Sequence, residues 1–447
     1  MNAQQATYDA LVIGGGFAGA IAARELRRAG CSVVLIEARD RIGGRAWLKP
    51  SALFPRPLEM GGAWITARER HVWAEVERYG MELTPAVPLA WPRTWLAGGH
   101  LHSGALPFPV EEIPALERLV VALDQAAARV DPDRPLCEQG LSDLDISFDD
   151  YLGRFQLRPA DREIVGVYFG TYGSAPARNI SALHLIRRIA AAGGSVAEFV
   201  LSSSGHRLRA GTTALVTAIL DDADAPIQLS TPVRAIRQNA QGVTAETAAG
   251  SFRGRAAVVA LPLNVLKHID FDPVLSPGKK RLSVEEMACA GTKVWAMVRG
   301  APKDFFAIGS GAGLDWLASD DVVVGDAIQM VGYGSDAEAL DITDRTHVER
   351  AVRSFLPGAE VLAIAAHDWR HDPYSLETWA VFRPGQISRD EHHLQACEGR
   401  LSFAGAHTAM RWTGFIDGAI ESGYRAAGEV GALLAREKNA SISTVRP

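Results

Sequence analysis

The feature that most constrains this chain is the glycine-rich segment GGGFAG at residues 14–19, which directly follows a short apolar run, YDALVI. The apolar run predicts a buried parallel strand. The residues after the glycines have helix-forming composition as far as Arg28, and Ala29-Gly30 ends that helix. SVVLI at residues 32–36 then predicts a second strand. Strand, turn, helix and strand form a complete βαβ unit, so we predict an α/β fold.

The glycines of this unit stand in G-x-G-x-x-G spacing, at Gly14, Gly16 and Gly19. Gly14 permits a tight turn, Gly16 lets the backbone approach a pyrophosphate, and Gly19 lets the helix pack closely on the strand. The amino terminus of the helix offers free N–H groups and a positive dipole end to that pyrophosphate. Glu37 ends the second strand, where a carboxylate accepts hydrogen bonds from ribose hydroxyls. The unit therefore predicts dinucleotide binding.

Two further glycine pairs follow, in EARDRIGGRAW at residues 37–47 and in EMGGAW at residues 59–64. The first pair is flanked by arginines. This pattern indicates a further close approach of the backbone to a cofactor that is larger than NAD and anionic.

Composition excludes several classes of protein. The 447 residues include 46 Lys and Arg against 52 Asp and Glu, a net charge of −6 that argues against a nucleic-acid partner. The four cysteines, Cys31, Cys137, Cys289 and Cys397, lie far apart and predict reduced thiols, not disulfides or a metal site. The sequence has neither the features of a secretory signal nor an apolar run long enough for a membrane span. We therefore expect a soluble, cytoplasmic protein without a membrane partner.

The motifs above, together with LEMGGAWI and the C-terminal LSFAGAHTAMRWTGFIDGAIESGYRAA, resemble the flavin-containing amine oxidase family, which includes monoamine and polyamine oxidases. They occur in family order at both ends of the chain, so the resemblance covers nearly all of it. It implies FAD as the cofactor and a Rossmann-like FAD-binding domain, interleaved with a substrate-binding domain of mixed β-sheet and helices. We expect residues 1–80, 205–285 and 385–435 in the FAD-binding domain, 81–204 and 286–384 in the substrate-binding domain, and a polar tail at 436–447.

The resemblance also implies which residues bind FAD. They are Gly14, Gly16, Phe17, Ala18, Gly19, Glu37, Ala38, Arg39, Gly43, Gly44, Arg45, Gly61, Gly62, Ala63, Trp64, Val233, Trp369, Gly405, Ala406, Gly414, Phe415, Ile416 and Ala419. Val233 matches a position whose backbone meets the adenine, and Trp369 resembles a tryptophan packed near the flavin ring. At Ala406-His407 the chain departs from the commoner acidic form, so only a backbone contact carries over there.

Three residues are expected on the catalytic side: Lys293, Trp379 and Phe415. In the family, a lysine that matches Lys293 holds a water near flavin N5 and assists the reaction with oxygen. The plain alternative is a solvated lysine whose stem lies across apolar surface. Trp379 and Phe415 resemble the aromatic pair that flanks the substrate, although tyrosines are more frequent there. The histidines lack metal-ligand spacing and there is no GxSxG motif, so we predict neither a metal site nor a hydrolase.

The resemblance implies oxidation of an amine to an imine by transfer of a hydride equivalent to flavin N5. Water hydrolyses the imine to an aldehyde or ketone, and O2 is reduced to H2O2. Some family members bind FAD covalently through a cysteine just before the second cage aromatic, where this chain has Thr378, so we predict non-covalent FAD. Besides the amine and O2, the partner expected is a second copy of the chain in a homodimer.

The substrate expected is a small, hydrophobic monoamine. An amino acid would need an arginine for its carboxylate, and amino-acid oxidase relatives carry such a residue where this chain has Trp64. Polyamines would favour acidic residues, and the sequence places none with certainty. The alternatives left open are an L-amino-acid or polyamine oxidase of the same family, a flavin desaturase acting on C–C bonds, and a flavin-free relative of the Rab-escort type.

Overall fold

The computed structural model describes residues 7–86, 93–104, 107–202 and 205–443, with side chains as far as residue 439. Over these residues the protein is a mixed α/β structure with two large sheets, which confirms the predicted fold class. The strands in chain order are β1 (Thr7–Ile13), β2 (Val33–Ile36), β3 (Leu48–Lys49), β4 (Leu58–Glu59), β5 (Trp64–Ile65), β6 (Leu83–Pro85), β7 (Arg93–Ala97), β8 (His100–Ser103), β9 (His206–Leu208), β10 (Ile227–Gln228), β11 (Val233–Asn239), β12 (Gly242–Thr247), β13 (Gly250–Val259), β14 (Asp270–Asp272), β15 (Thr292–Arg299), β16 (Phe306–Gly311), β17 (Leu314–Val324), β18 (Ala327–Gly334), β19 (Glu360–Ala366) and β20 (Leu401–Phe403).

The α-helices connect and cover these sheets. They are α1 (Phe17–Arg28), α2 (Arg70–Arg78), α3 (Ile113–Ala127), α4 (Phe148–Leu152), α5 (Pro159–Gly173), α6 (Ala182–Ala192), α7 (Val196–Ser202), α8 (Thr212–Ala223), α9 (Pro277–Glu285), α10 (Arg345–Phe355), α11 (Gln386–Gln395) and α12 (Ile416–Ser443). Short 3₁₀ turns lie at Val110–Glu112, Leu136–Glu138, Ser142–Leu144, Ala177–Asn179, Leu263–His268 and Ala406–Thr408. Helix α12 continues to Ser443, so most of the segment predicted as a polar tail is helical.

The first sheet has eight strands in the order β10-β2-β1-β13-β12-β11-β14, with β20 beside β13. β1 runs parallel to β2, as the predicted βαβ unit requires, and it also runs parallel to β13. Side chains of a strand alternate between the faces of its sheet. Leu11 and Ile13 pack on one face against the helices of the central region, and Ala10 and Val12 pack on the other against α1, α8 and α12. Both faces are covered, which explains the continuous apolar run of β1.

The second sheet has seven strands in the order β19-β15-β18-β17-β16-β7-β8. Alternation along β15 turns Val294 and Ala296 toward α10, where they join an apolar cluster with Phe355. The opposite face carries Trp295 and, two residues before it, Lys293, and faces the glycine-rich segments of the first 65 residues. The site described next lies between the two sheets. The division into a FAD-binding and a substrate-binding domain stays a prediction, although every strand of each large sheet comes from the corresponding set of segments.

Candidate active site

The first βα turn brings backbone and carboxylate into close contact. Gly14 has a φ of +111°, and a Cβ there would lie 2.4 Å from the carbonyl oxygen of Ala260. A Cβ at Gly19 would lie 1.9 Å from the carbonyl oxygen of Gly14, so this glycine allows helix α1 to pack on the strand. Glu37 accepts hydrogen bonds from the backbone N–H of Gly15 at 2.6 Å and of Arg39 at 2.8 Å. The close glycine contacts and the two hydrogen bonds of Glu37 together fix the conformation of this turn.

Helix α1 presents its amino terminus to the same turn. It begins at Phe17 without a side-chain cap and without an acidic residue in its first turn. Phe17 and Ala18 both line the cavity between the sheets. An uncapped helix start with a positive dipole end is suited to bind a phosphate group.

A cavity of about 530 Å³ runs along these segments. It is lined by Gly14, Gly16, Phe17, Ala18, Glu37, Ala38, Arg39, Gly43, Gly44, Arg45, Gly61, Gly62, Ala63, Trp64, Val233, Lys293, Trp369, Trp379, Gly405, Ala406, Gly414, Phe415, Ile416 and Ala419. Every residue proposed from the sequence therefore faces one cavity except Gly19, which instead packs α1 on β1. Residues from opposite ends of the chain meet there because β1 and β20 both pair with β13.

Arg45 reaches the cavity with its charge already balanced. Its Nη1 donates to Oε1 of Glu377 at 2.6 Å, and Glu377 is fully buried. Burial raises the pKa of Glu377 to about 7, while the neighbouring Arg45 acts in the opposite direction. A Cβ at Gly61 would lie 1.7 Å from the carbonyl oxygen of Arg45. The segments EARDRIGGRAW and EMGGAW therefore lie in close contact at the cavity wall.

Trp369 closes the wall beside these glycines. Its Nε1 donates to the carbonyl oxygen of Met60 at 3.0 Å, and its ring lies 3.4 Å from the position of a Cβ on Gly61. The ring packs edge-to-face against His367 and Trp47, with centroids 4.3 and 6.2 Å away. Such a buried, hydrogen-bonded indole forms a rigid wall.

Lys293 is buried and points into the cavity from β15. Its Nζ donates to the carbonyl oxygens of Glu59, at 3.3 Å, and Gly61, and lies 4.5 Å from the ring centroid of Trp64. Burial lowers the pKa of Lys293 to about 8, with the carboxylate of Glu59 partly opposing the shift. This environment does not match the alternative interpretation of Lys293 as a solvated surface lysine.

Trp379 and Phe415 form part of the cavity wall. Their rings pack edge-to-face with centroids 5.1 Å apart, and Trp412 packs in the same way on Phe415. Both rings are half-buried and line the cavity. They form one joined aromatic wall.

Comparison with known proteins identifies the family of this site. Residues 17–431 match the family of flavin-containing amine oxidoreductases. The chain belongs to that family. Among its relatives, nicotine dehydrogenase of Pseudomonas putida is 35% identical over 435 residues, which cover 96% of this chain and 89% of the relative. (S)-6-hydroxynicotine oxidase of Paenarthrobacter nicotinovorans is 34% identical over 420 residues, which cover 93% and 97%.

A solved structure of putrescine oxidase bound to putrescine matches with a TM-score of 0.86 at 22% identity, covering 96% of this chain and 99% of the other. It shares the fold. This flavin-dependent amine oxidase is thus an enzyme, and its family uses FAD, as the motifs predicted. The residues fit that cofactor, because the glycine backbone, Glu37 and the uncapped start of α1 leave the open contacts that a dinucleotide requires.

The structure adds a polar group to the amine oxidase site that sequence reasoning missed. The hydroxyls of Ser174 and Thr378 lie 2.9 Å apart, and the Tyr333 hydroxyl donates to Ser174 Oγ. All three residues line the cavity. They come from three separate parts of the chain, and although Thr378 directly precedes Trp379, no local pattern pairs it with Ser174 or Tyr333.

A second missed residue, Arg188 of α6, lies behind the aromatic wall. Its guanidinium carbon is 4.6 Å from the ring centroid of Trp379 and 4.9 Å from that of Phe415. It stands in a run of alanines, leucines and isoleucines with one other arginine, where an arginine would ordinarily be assigned to a solvated helix face.

Two absences hold for the part of the chain described above. Its residues contain no group of three or more histidines, cysteines, aspartates or glutamates placed to hold a metal ion. None of its helices is long and apolar enough to span a membrane.

Proposed function

We propose that the enzyme oxidises a small, hydrophobic monoamine to an imine, which water hydrolyses to an aldehyde or ketone, while O2 is reduced to H2O2. In this stoichiometry the amine loses two electrons and two hydrogens, and O2 gains both. FAD, when bound, supplies the two-electron chemistry that connects the two half-reactions. The observation that carries the proposal is the aromatic wall of Trp379 and Phe415, at a cavity end where none of the described residues contributes a carboxylate.

The side chains suggest a division of labour. Trp379 and Phe415 offer apolar surface that binds the hydrophobic part of an amine and excludes water from the reacting carbon. Lys293 holds a proton near neutral pH because burial lowers its pKa only to about 8, and its ammonium would stabilise negative charge that develops on reduced oxygen. No strong base is needed if the amine enters neutral.

The relatives support this substrate class. The names of two of them specify nicotine and 6-hydroxynicotine, in which an amine is joined to an aromatic ring. One of these relatives is named a dehydrogenase and the other an oxidase. The electron acceptor therefore needs a direct test in this enzyme, and O2 is the acceptor we propose.

The charges along the cavity disfavour the two family alternatives. Glu37 is the only acidic residue among the described residues that line it, and it lies in the nucleotide-binding turn, so a polyamine would lack partners for its further ammonium groups. The lining arginines are Arg39, Arg45 and Arg234, which lie in segments predicted to bind FAD. A substrate carboxylate would therefore have to displace the cofactor contacts of these arginines to gain the bidentate pairing that carboxylates favour.

The test is a screen of the purified holoenzyme with matched pairs of substrates. Phenethylamine and L-phenylalanine differ only by a carboxylate, as do tyramine and L-tyrosine, and putrescine and butylamine differ by one amine. Anaerobic bleaching of the flavin reports substrate oxidation independently of the acceptor, and peroxide release in air reports O2 as the acceptor. We expect bleaching by the monoamines. Efficient oxidation of L-amino acids with inactivity toward their decarboxylated amines would overturn the proposal.

Two further expectations remain predictions. These are a homodimer and a cytoplasmic location. Light scattering on the holoenzyme measures the first.

A further inference from the structure

The side chain of Arg188 is buried without a partner. Only 1% of the residue is exposed, and its Nε, Nη1 and Nη2 have no hydrogen-bond partner among the described residues. The neighbouring Arg187 is equally buried, but its Nη1 donates to the carboxylate of Glu391 at 2.5 Å. Burying an unpaired charge costs free energy, so a fold that keeps one at a functional site calls for an explanation.

The charge lies directly behind the aromatic wall. The guanidinium carbon is 4.6 Å from the Trp379 centroid and 4.9 Å from the Phe415 centroid, and both rings face the cavity. Contact of a guanidinium with two aromatic rings supplies part of the missing stabilisation. The nitrogens of Arg188 have almost no exposed surface, so any influence of the residue on a ligand in the cavity would be exerted through its electric field and not by contact.

The groups around Arg188 do not neutralise it. On its own helix they are Arg187, a second cation, and His184, whose pKa is held well below its usual range by burial and by the two arginines. From other elements, Tyr333 and Cys289 face it, and burial raises the pKa of both, so both are neutral. Burial and Arg187 lower the pKa of Arg188 to about 9, which leaves it charged at neutral pH.

Two buried carboxylates of this region form ion pairs with other arginines. Glu391 is paired with Arg187, and Glu377 with Arg45. The other cation at the substrate side is Lys293, which donates to two backbone carbonyls. The substrate side of the cavity is therefore electropositive.

We propose that Arg188 is a specificity-determining residue: its guanidinium disfavours amines that carry a second positive charge and favours amines whose far end is neutral or anionic. This inference rests on the proposed oxidation of an amine at this cavity. A ligand in van der Waals contact with the cavity side of the rings lies about 3.5–4 Å beyond them, and thus about 8 Å from the guanidinium. At an effective dielectric constant of about 20, two unit charges at about 8 Å change a binding constant about 30-fold.

The test compares ligands that differ only in charge. The first series is 4-methylbenzylamine, 4-(aminomethyl)benzylamine and 4-(aminomethyl)benzoate, measured by the second-order rate constant of anaerobic flavin reduction. The second series is 4-tert-butylaniline, its isostere 4-amino-N,N,N-trimethylanilinium, and 4-aminobenzoate. The enzyme is not expected to oxidise these anilines, so their dissociation constants follow from perturbation of the oxidised flavin spectrum of the holoenzyme.

Three variants accompany the wild type. Arg188→Met removes the charge at similar length, and Arg188→Lys keeps the charge while losing the planar guanidinium. Arg178→Met removes a positive charge from the surface just before α6, where the Arg178 side chain is 67% exposed. A purely structural role would make the Met and Lys variants behave alike. If the charge matters, the Lys variant should instead behave like the wild type.

We expect the wild type to prefer neutral over dicationic ligands about 30-fold, and Arg188→Met to reduce that ratio to within about threefold. Arg188→Lys and Arg178→Met should keep the wild-type ratio. Equal ratios in the wild type and Arg188→Met would overturn the inference. If Arg188→Met yields no folded holoenzyme, a wild type that binds the trimethylanilinium as tightly as its neutral isostere overturns it equally. Failure of all three benzylamines to reduce the flavin would count against the proposed function, while the aniline series still decides the role of Arg188.

Discussion

Replacing Lys293 by methionine should separate the two half-reactions of the enzyme. Methionine keeps much of the length of the side chain without its charge, and Trp379 and Phe415 remain in place. We therefore expect Lys293→Met to retain FAD and to be reduced by the amine at close to the wild-type rate. The reaction with O2 should slow, because the variant lacks the ammonium that we propose stabilises negative charge on oxygen.

The magnitude follows from the position of the charge. Nζ of Lys293 is held by the carbonyl oxygens of Glu59 and Gly61 at the cavity wall. A unit charge within about 5 Å of the reduced oxygen contributes about 3 kcal/mol at an effective dielectric constant of about 20. That corresponds to a rate change of about 100-fold. Because the pKa of Lys293 is about 8, the wild-type rate with O2 should fall as pH rises through about 8, and the variant should lack this step.

The same substitution should slow the reaction with O2 without destabilising the folded enzyme at neutral pH. Burial lowers the pKa of Lys293 from 10.5 to about 8, so between these values the unfolded chain binds more protons and stability rises with pH. Below pH 8 the charged lysine costs the folded state about 3 kcal/mol relative to the neutral form. Methionine removes that cost but also removes the bonds to two carbonyls. We expect the variant to be at least as stable as the wild type at pH 7, with any advantage lost above about pH 10.5.

Stopped-flow spectroscopy measures both half-reactions across pH 6–10, and thermal unfolding of the holoenzyme measures stability. Lys303→Met, which makes the same change at an exposed position, is the control. An O2 reaction in Lys293→Met that matches the wild type at every pH would refute the reasoning and return Lys293 to a structural role.

Three further outcomes follow from the site. FAD should be released into the supernatant by acid precipitation, because Thr378 cannot form a thioether; flavin that stays with the polypeptide would contradict this. Gly61→Ala should lose FAD and unfold at lower temperature, since its Cβ would lie 1.7 Å from the Arg45 carbonyl oxygen. The control is Gly431→Ala on α12, whose Cβ would have no atom of the described residues within 4 Å, and which should raise the free energy of unfolding by about 0.5–1 kcal/mol. Glu37→Gln should weaken FAD binding about tenfold, as measured by flavin fluorescence titration, because the carboxylate accepts two backbone N–H groups; an unchanged dissociation constant would show that these bonds do not position the turn.

Local sequence patterns are enough to predict the cofactor turn and the family. The roles of Gly14, Gly19 and Glu37 depend on backbone geometry within about 25 residues, and glycine spacing reports such geometry directly. The motif predicts Lys293 as a site residue, and the structure adds that its Nζ is buried against two carbonyls.

The surroundings of the aromatic wall depend on contacts between residues that are far apart in the chain. Arg45 and Glu377 are 332 residues apart and pair through a hydrogen bond that no local pattern announces. Ser174 and Tyr333 meet because α5 and β18 reach the same cavity, and Arg188 stands behind Phe415, more than two hundred residues away. Arg188 lies on α6, and no local sequence pattern indicates which face of that helix its neighbours cover. The charge of the substrate side therefore depends on packing. Whether an arginine is buried without a carboxylate partner is decided by the elements that pack around it.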